Sequence, residues 1–335
     1  MTEKRPESVT ITDVTLREYG QNIPAKYLTI FNPSIRAGIA RKLIKAGFSN
    51  LEILSCIHSR IAPAMEREAL KEVVSALGKI EGANLITLAP NRAGYDTFRS
   101  LDLGPGGYNH TLGIFFSAIE AHNLANLGRP VKETVEEYKT IVKDAASENI
   151  RVVAYISAAF GYLDPRDGLV SKADLDAVNR YTDLFFDLGA RTMTLSDLQG
   201  VADQEETSRV LQTILDKRKG RDMDRLGYHP HHVSGEMALA NSKVAYDLGI
   251  RRFDSSLGGT GGCVTGAPGN QPTEELVRLF HERGVMTGLD QEKIFSLGEL
   301  VEKELYSKIL LFQGRHHPEG LGAKKHDTGP KSNRS

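Results

Sequence analysis

Residues 224–232, Asp-Arg-Leu-Gly-Tyr-His-Pro-His-His, combine a short strand-forming run with two histidines separated by one residue. A helical pattern begins near Gly235, directly after them. Side chains two residues apart point to the same side of an extended segment, so His229 and His231 are expected to bring their imidazoles together. Two such imidazoles form half of a site for a divalent metal ion. An isolated pair is more often found on the surface, but here other stretches converge on the same place.

Short runs of β-forming residues recur on both sides of this stretch. Strands are predicted at residues 9–14, 50–54, 84–88, 111–116, 151–156, 191–195, 225–229 and 252–257. Helical patterns separate these runs, at residues 35–46, 129–146, from Ser171 to Gly189, and from residues 270–275 onward. Asn32-Pro33-Ser34 before the first of these helices and Gly47 after it are typical helix boundaries.

Eight strands that alternate with helices predict a parallel α/β fold, and eight is the number that closes a TIM (β/α)8 barrel. An open doubly wound sheet is the alternative, but no Gly-x-Gly-x-x-Gly follows the first strand. We predict an N-terminal extension (1–8), a barrel domain (9–285), C-terminal helices packed on the barrel (286–315) and a flexible tail (316–335) rich in Gly, Lys, His and Pro.

The composition limits the classes of partner. The chain has 335 residues and a formal net charge of -1, so neither nucleic acid nor an anionic membrane is expected to bind it. No run approaches the roughly 18 apolar residues of a membrane span. The first residues lack the apolar core of a signal peptide, and we expect a cytoplasmic protein. Its two cysteines, Cys56 and Cys263, are expected to be reduced thiols.

The active site of such a barrel lies at the C-terminal ends of the strands. The polar candidates at these ends are Arg17, Glu18, Glu52, Asp197, His229, His231, Cys263 and Asn270. Two imidazoles, a carboxylate and an amide oxygen suit a divalent cation that also binds substrate oxygens. An arginine beside them would stabilise an enolate or oxyanion. A cysteine in the glycine-rich segment 258–270 would act as acid or base, or simply line the loop.

Several candidates have a structural alternative. Glu52 is as readily a buried partner of Arg17 as a catalytic group. Asp197 is either a functional carboxylate or a helix N-cap, and Asp13 either braces the barrel or touches substrate. Cys56 is expected to be a packing residue. Polar positions on the surface are expected for the remaining loop histidines, His58, His110 and His122.

In their order and placement, these motifs resemble the hydroxymethylglutaryl-CoA lyase family of metal-dependent lyase and aldolase barrels. Residues 17–22, Arg-Glu-Tyr-Gly-Gln-Asn, are similar to the family's Arg-Asp-Gly-x-Gln-Asn. The histidine pair matches its His-x-His motif. Further similar segments are residues 51–55, 117–126, 155–161, 195–200 and 258–270. The resemblance therefore extends over nearly the whole predicted barrel.

The resemblance implies a Mg²⁺- or Mn²⁺-dependent carbon–carbon lyase. Such an enzyme cleaves a 3-hydroxyacyl-CoA, either hydroxymethylglutaryl-CoA or a related thioester, to acetyl-CoA and a keto acid. The implied metal ligands are Glu18, His229, His231 and Asn270. The implied catalytic residues are Arg17, for the enolate, and Cys263, as proton shuttle, with Glu52 and Asp197 beside them. Substrate contacts are assigned to Gln21, Tyr19 and Ser157, and the family suggests a homodimer.

The chain departs from the family's pattern at the site itself. Glu18 stands where the family has Asp, Tyr19 where it has Gly, and the segment between Cys263 and Asn270 is shorter. These changes together suggest a changed acyl substrate, which need not be hydroxymethylglutaryl-CoA itself. The alternatives are a 4-hydroxy-2-oxoacid aldolase and a barrel without catalysis that binds a partner. A condensing synthase is disfavoured, because the residues after the barrel leave little room for a regulatory domain.

Overall fold

A computed structural model describes residues 7–218, 220–231, 235–261 and 269–306. The predictions for Cys263, for the first six residues and for residues 307–335 lie outside this part of the chain.

Eight parallel strands close into a barrel. They are β1 (Thr10–Asp13), β2 (Asn50–Ser55), β3 (Asn84–Leu88), β4 (Thr111–Ser117), β5 (Val152–Ser157), β8 (Met193–Asp197), β9 (Leu226–Pro230) and β10 (Arg252–Ser255). Their order around the barrel is β1-β10-β9-β8-β5-β4-β3-β2. Every predicted strand is present, and the prediction of a TIM barrel is confirmed. The two remaining strands, β6 (Tyr162–Leu163) and β7 (Val170–Ser171), form a short antiparallel pair after β5.

Helices surround the barrel. They are α1 (Thr15–Asn22), α2 (Pro33–Lys45), α3 (Arg67–Leu77), α4 (Arg92–Ser100), α5 (Glu120–Leu127), α6 (Val131–Ser147), α7 (Leu175–Asp187), α8 (Gln204–Arg218), α9 (Gly235–Asp247), α10 (Thr273–Glu282) and α11 (Gln291–Val301). None of these described helices has both the length and the apolar character that crossing a membrane requires.

Local side-chain hydrogen bonds determine where the helices begin. Asn32 caps α2, because its side chain accepts a 3.0 Å hydrogen bond from the backbone N–H of Ile35, as its position before Pro33 predicted. The predicted start of α7 at Ser171 is wrong. Ser171 belongs to β7, and Asp174 caps the helix by accepting from the N–H groups of Asp176 and Ala177.

The register of the strands places polar residues at one level inside the barrel. Tyr228 of β9 pairs with Phe253 of β10, so the next residues along the two strands, His229 and Asp254, lie side by side. On the other flank of β9, Ser196 of β8 pairs with His229. The part of the interior formed by β3, β4 and β5 is apolar instead, with Ile86, Leu88, Phe115, Val153 and Tyr155 in one cluster.

The last described elements follow the barrel. Helix α11 packs against α10 and α2, and a π-helical turn continues it at Glu302–Tyr306. The division of the chain into a barrel domain and C-terminal helices stays a prediction.

Candidate metal centre and active site

The chain turns from β1 directly into α1, and Asp13 fixes this turn. Its carboxylate accepts hydrogen bonds from the backbone N–H of Thr15, at 3.2 Å, and from the hydroxyl of Thr15, at 2.7 Å. The same hydroxyl oxygen accepts from the N–H of Leu257, at 2.9 Å, which ties the end of β10 to the start of α1. Burial raises the pKa of Asp13 to about 7. This geometry favours the bracing role that the sequence left open.

The sequence predicted no helix at residues 15–22, but α1 begins directly after β1, so Arg17 and Glu18 lie on a helix and not on the end of a strand. At about 100° per residue, Arg17, Glu18 and Gln21 share the face that lines a cavity at the mouth of the barrel. Tyr19 points away from it. Its buried ring packs edge-on against Phe31, with 4.8 Å between the ring centroids. The assignment of Tyr19 to a substrate contact does not agree with this position.

The two histidines of the strand-end motif face each other. The Nε2 atoms of His229 and His231 are 2.9 Å apart, and both residues are buried. A carboxylate oxygen of Glu18 lies with them in a group of donor atoms that are all within 4.8 Å of one another. The side chains predicted from alternation along an extended segment therefore do converge, and a helix supplies the third donor.

Asn270 lies next to this group, because its backbone forms an antiparallel bridge with His231. Its side-chain nitrogen donates to the carbonyl of Thr260, at 2.9 Å. Its buried Oδ1 atom has no hydrogen-bond partner among the described residues. A buried carbonyl oxygen without a donor is costly unless it binds something else. Gly261 makes room here, since a Cβ at this position would lie 2.5 Å from the Cβ of Glu18.

Asp254 orients one of the imidazoles. Its Oδ2 atom is 3.1 Å from Nδ1 of His229. Burial lowers the pKa of His229 to about 4, so the imidazole is neutral at pH 7. A neutral imidazole that donates from Nδ1 to a carboxylate presents the lone pair of Nε2 to the donor group. No sequence motif pointed to Asp254, although an acidic residue within a buried strand run was a usable signal.

Arg17 is held by three side chains. Its Nε donates to Glu52 at 2.7 Å, its Nη1 donates to Gln21 at 3.0 Å, and the same Nη1 pairs with Glu18. Burial opposes the charge of Arg17, but Glu18 and Glu52 raise its pKa above the ordinary value. Burial likewise raises the pKa of Glu52, and Arg17 counteracts this rise. Glu52 is therefore the buried partner of Arg17, as one of the two sequence interpretations had it.

The cavity has a volume of about 430 Å³ and reaches from the donor group to the loops after β2 and β3. Two residues assigned to substrate binding, Gln21 and Ser157, line it. Its other lining residues include Cys56, His58, Met65, Leu88, Phe115, Asn126, Tyr155, Ser196 and Leu198. The cavity thus has polar groups around Glu18 and His229 and apolar side chains at β3 and β4.

Asp197 has a structural position. Its two carboxylate oxygens accept from the backbone N–H groups of Val201, at 3.0 Å, and Ala202, at 3.1 Å. Its carbonyl accepts from the N–H of His231, at 3.0 Å. Burial raises its pKa to about 6, against the effect of these backbone hydrogen bonds. Asp197 does not line the cavity, so the geometry favours the capping interpretation over a catalytic one.

The other loop residues differ in whether they are buried or exposed. His110 and His122 are buried, and the expectation that they lie on the surface is wrong. His110 is hydrogen-bonded to Thr87, and the ring of His122 packs against Tyr162. His58 is exposed and lines the cavity. Cys56 is buried, and burial raises the pKa of its thiol to about 12, which agrees with a packing role.

The donor set fits a divalent cation. Neutral imidazole nitrogens, a carboxylate oxygen and an amide oxygen without a donor are the atoms that borderline and hard cations bind. The sequence-predicted ligands Glu18, His229, His231 and Asn270 are thus brought together, and Arg17 lies beside them.

Comparison with known proteins agrees with this architecture. The HMGL-like family model matches residues 8–301. The chain is 30% identical to a hydroxymethylglutaryl-CoA lyase of Bacillus subtilis over 90% of this chain and 94% of that protein. It is 29% identical to the (R)-citramalyl-CoA lyase of Chloroflexus aurantiacus over 93% and 96% of the two chains. The crystal structure of a Bacillus subtilis HMG-CoA lyase superposes with a TM-score of 0.77 at 26% identity, covering 92% of this chain and 99% of that one.

Both relatives are carbon–carbon lyases by name, and hydroxymethylglutaryl-CoA lyases depend on a divalent metal. The family match spans more than half of the chain, and the closed barrel and the group of metal donors are consistent with it. The chain therefore belongs to the HMGL-like family of metal-dependent TIM-barrel lyases.

Proposed function

We propose that the protein is a divalent-metal-dependent lyase that cleaves the C2–C3 bond of a 3-hydroxyacyl-CoA thioester. One observation carries the proposal. Glu18, His229 and His231 converge at the end of a substrate-sized cavity, with the open Oδ1 atom of Asn270 and the guanidinium of Arg17 next to them. The names of the relatives support a CoA thioester as the substrate class.

Glu18, His229, His231 and Asn270 are proposed to hold Mg²⁺ or Mn²⁺. When bound, such an ion supplies Lewis-acid polarisation of the oxygens of the substrate. The neutral state of His229 is suited to ligation, because a protonated imidazole has no lone pair to offer. Asp254 keeps Nε2 of His229 directed at the donor group through the contact with Nδ1.

The cleavage removes the proton of the 3-hydroxyl and converts C3 to a carbonyl carbon. The electron pair of the broken bond passes to the acetyl-CoA enolate, whose C2 then takes up a proton. Arg17 is proposed to stabilise the enolate oxygen, and its fixed guanidinium suits this task because it needs no reorientation during the reaction. Cys263 is proposed to deliver the proton to C2.

Two thioesters are the first candidates for the substrate, hydroxymethylglutaryl-CoA and citramalyl-CoA, after the relatives named above. The keto-acid products would be acetoacetate and pyruvate. Glu18 extends one methylene further than the aspartate of the family motif, and this change supports a substrate other than hydroxymethylglutaryl-CoA. A cytoplasmic homodimer is part of the same proposal.

The test is a cleavage assay with both thioesters and with 4-hydroxy-2-oxovalerate, with added Mn²⁺ and after chelation. We expect acetyl-CoA release that requires the metal and is lost in Arg17→Lys, because lysine cannot make the same fixed contacts with Glu52 and Gln21. Arg17→Lys should still bind Mn²⁺. His281→Ala, on α10 and hydrogen-bonded to Gln291 and Thr287, serves as the control that keeps activity.

Cleavage of 4-hydroxy-2-oxovalerate alone would replace the proposal by the aldolase alternative. A wild-type protein that binds no Mn²⁺ and cleaves none of the three compounds would favour the non-catalytic barrel.

A further inference from the structure

Arg36 of α2 is the largest fully buried side chain among the described residues, at 1% exposure. No carboxylate of the described part of the chain forms an ion pair with it. Burial lowers the pKa of Arg36 to about 10, and no neighbouring acid counteracts this effect. An arginine buried without an anion is unfavourable for stability. Unfavourable arrangements of this kind are expected where a residue contributes to a functional site.

The contacts of Arg36 lead to the wall of the cavity. Its Nη1 donates to the carbonyl of Ala64, at 2.7 Å, and its Nη2 donates to the sulfur of Met65, at 3.4 Å. Both acceptors belong to the one-turn 3-10 helix Pro63–Met65, and Met65 lines the cavity. A methionine side chain adapts its shape readily, so a hydrogen bond to its sulfur restricts the conformations that this wall can adopt.

Two series of side-chain contacts connect Arg36 with helix α1. The guanidinium lies 5.3 Å from the ring centroid of Phe31, and Phe31 packs against Tyr19. The methyl group of Met65 lies so close to Gly20 that a Cβ there would be 2.5 Å from it. Tyr19 and Gly20 directly follow Glu18 in the sequence. Both series of contacts therefore reach the turn of α1 that carries Glu18.

We propose that Arg36 is a positioning residue of the active site. It fixes Met65 in the cavity wall and, through Met65 and Phe31, holds the turn of α1 that aims Glu18 at the histidines. The inference rests on the proposed function in taking Glu18 as a metal ligand.

Arg36→Met separates positioning from stability. Because methionine removes a buried charge without leaving a large void, Tm should stay the same or rise. The Mn²⁺ affinity should fall by about tenfold, the lower end of the range for residues that orient metal ligands. Backbone amide hydrogen exchange should become faster in residues 15–22 and 63–65. A merely structural role predicts the reverse, a lower Tm with unchanged Mn²⁺ affinity in the folded protein.

Arg36→Lys keeps a donor for the carbonyl of Ala64 and should give an intermediate affinity. Met65→Leu removes the sulfur acceptor at similar volume and should weaken Mn²⁺ binding in the same direction. If the two residues act together, Arg36→Met/Met65→Leu should lose no more affinity than Arg36→Met alone. These milder variants decide the proposal even where Arg36→Met does not fold.

The proposal is overturned if the wild type and the folded Arg36 variants bind Mn²⁺ equally, or if the two substitutions are additive. A wild type that binds no Mn²⁺ refutes the proposed function instead. In that case hydrogen exchange still decides the role of Arg36, because unchanged exchange of residues 15–22 in Arg36→Met would contradict it.

Discussion

The end of strand β9 and helix α1 both contribute to the candidate metal site, but they hold their donor atoms by different means. His229 is fixed by the backbone of β9, which pairs with β8 on one side and with β10 on the other. His231 follows the strand and is also held by its backbone, through the bridge with Asn270 and the hydrogen bond to the carbonyl of Asp197. Glu18 is on a helix of eight residues that follows β1 directly, and its position depends on side chains packed behind it. Donors on a paired strand are thus set by main-chain hydrogen bonds, whereas a donor on a short helix is set by tertiary packing.

Removing a histidine donor should have the largest effect. His231→Ala takes away one of the two converging imidazoles, while the backbone at this position stays held by Asn270 and Asp197. We expect the Mn²⁺ affinity to fall by more than about 100-fold, beyond the loss typical of residues outside the ligand set. Calorimetric titration measures this, with His281→Ala as the matched histidine control. Affinity within a few fold of the wild type would exclude His231 as a ligand.

Substitution of the donor on α1, Glu18, should lower the Mn²⁺ affinity less than His231→Ala does. Glu18→Gln keeps the size and an oxygen donor but removes the negative charge, so the Mn²⁺ affinity should fall by roughly 10- to 100-fold. The exposed Glu299→Gln on α11 is the control for loss of one carboxylate. A loss as large as that of His231→Ala would mean that α1 holds its donor as firmly as the backbone after β9 holds His231.

A smaller effect is expected when the support of a strand donor is changed. Asp254→Asn leaves the shape intact but weakens the hold on the Nδ1 proton of His229, so Nε2 no longer has a fixed lone pair. Outer carboxylates of this kind contribute about tenfold to metal affinity. The Mn²⁺ titration should show that decrease with little change in Tm, and an unchanged affinity would argue that β9 alone orients His229.

A buried histidine outside the candidate site, His122, should make the folding stability depend on pH. His122 of α5 is fully buried, and neither ring nitrogen has a hydrogen-bond partner among the described residues. Burial lowers its pKa to about 4 from the ordinary 6.5. As pH falls below about 6.5 the unfolded chain binds the proton first, so folding stability decreases until about pH 4, where the folded state also becomes protonated.

His122→Phe removes this titration. Relative to the wild type, the free energy of unfolding of the variant should rise by about 2 kcal/mol between pH 7.5 and pH 5, measured by denaturant unfolding at each pH. The difference between the two proteins should be independent of pH if His122 has no depressed pKa.

The sequence predicted the barrel because each strand is a local pattern bounded by helix signals, and it predicted the histidine pair because alternation along a strand is also local. It placed Glu18 and Asn270 among the polar groups at strand ends and assigned them as metal ligands through a family motif, but Glu18 lies on a helix. It missed Asp254 and misjudged Tyr19, His110 and His122. The contacts of these residues join segments far apart in the sequence, such as Tyr19 with Phe31 and His229 with Asp254.

By itself, the sequence determined the alternation of strands and helices, the barrel it implies and the side on which His229 and His231 lie. These features follow from backbone periodicity and from capping by nearby residues. Only the tertiary structure decided that Glu18 reaches the histidines from a helix, that Glu52 pairs with Arg17, and that Arg36 is buried without an anion. Closing the barrel brings distant segments to one point, and burial there determines which charges are paired and which protons are held.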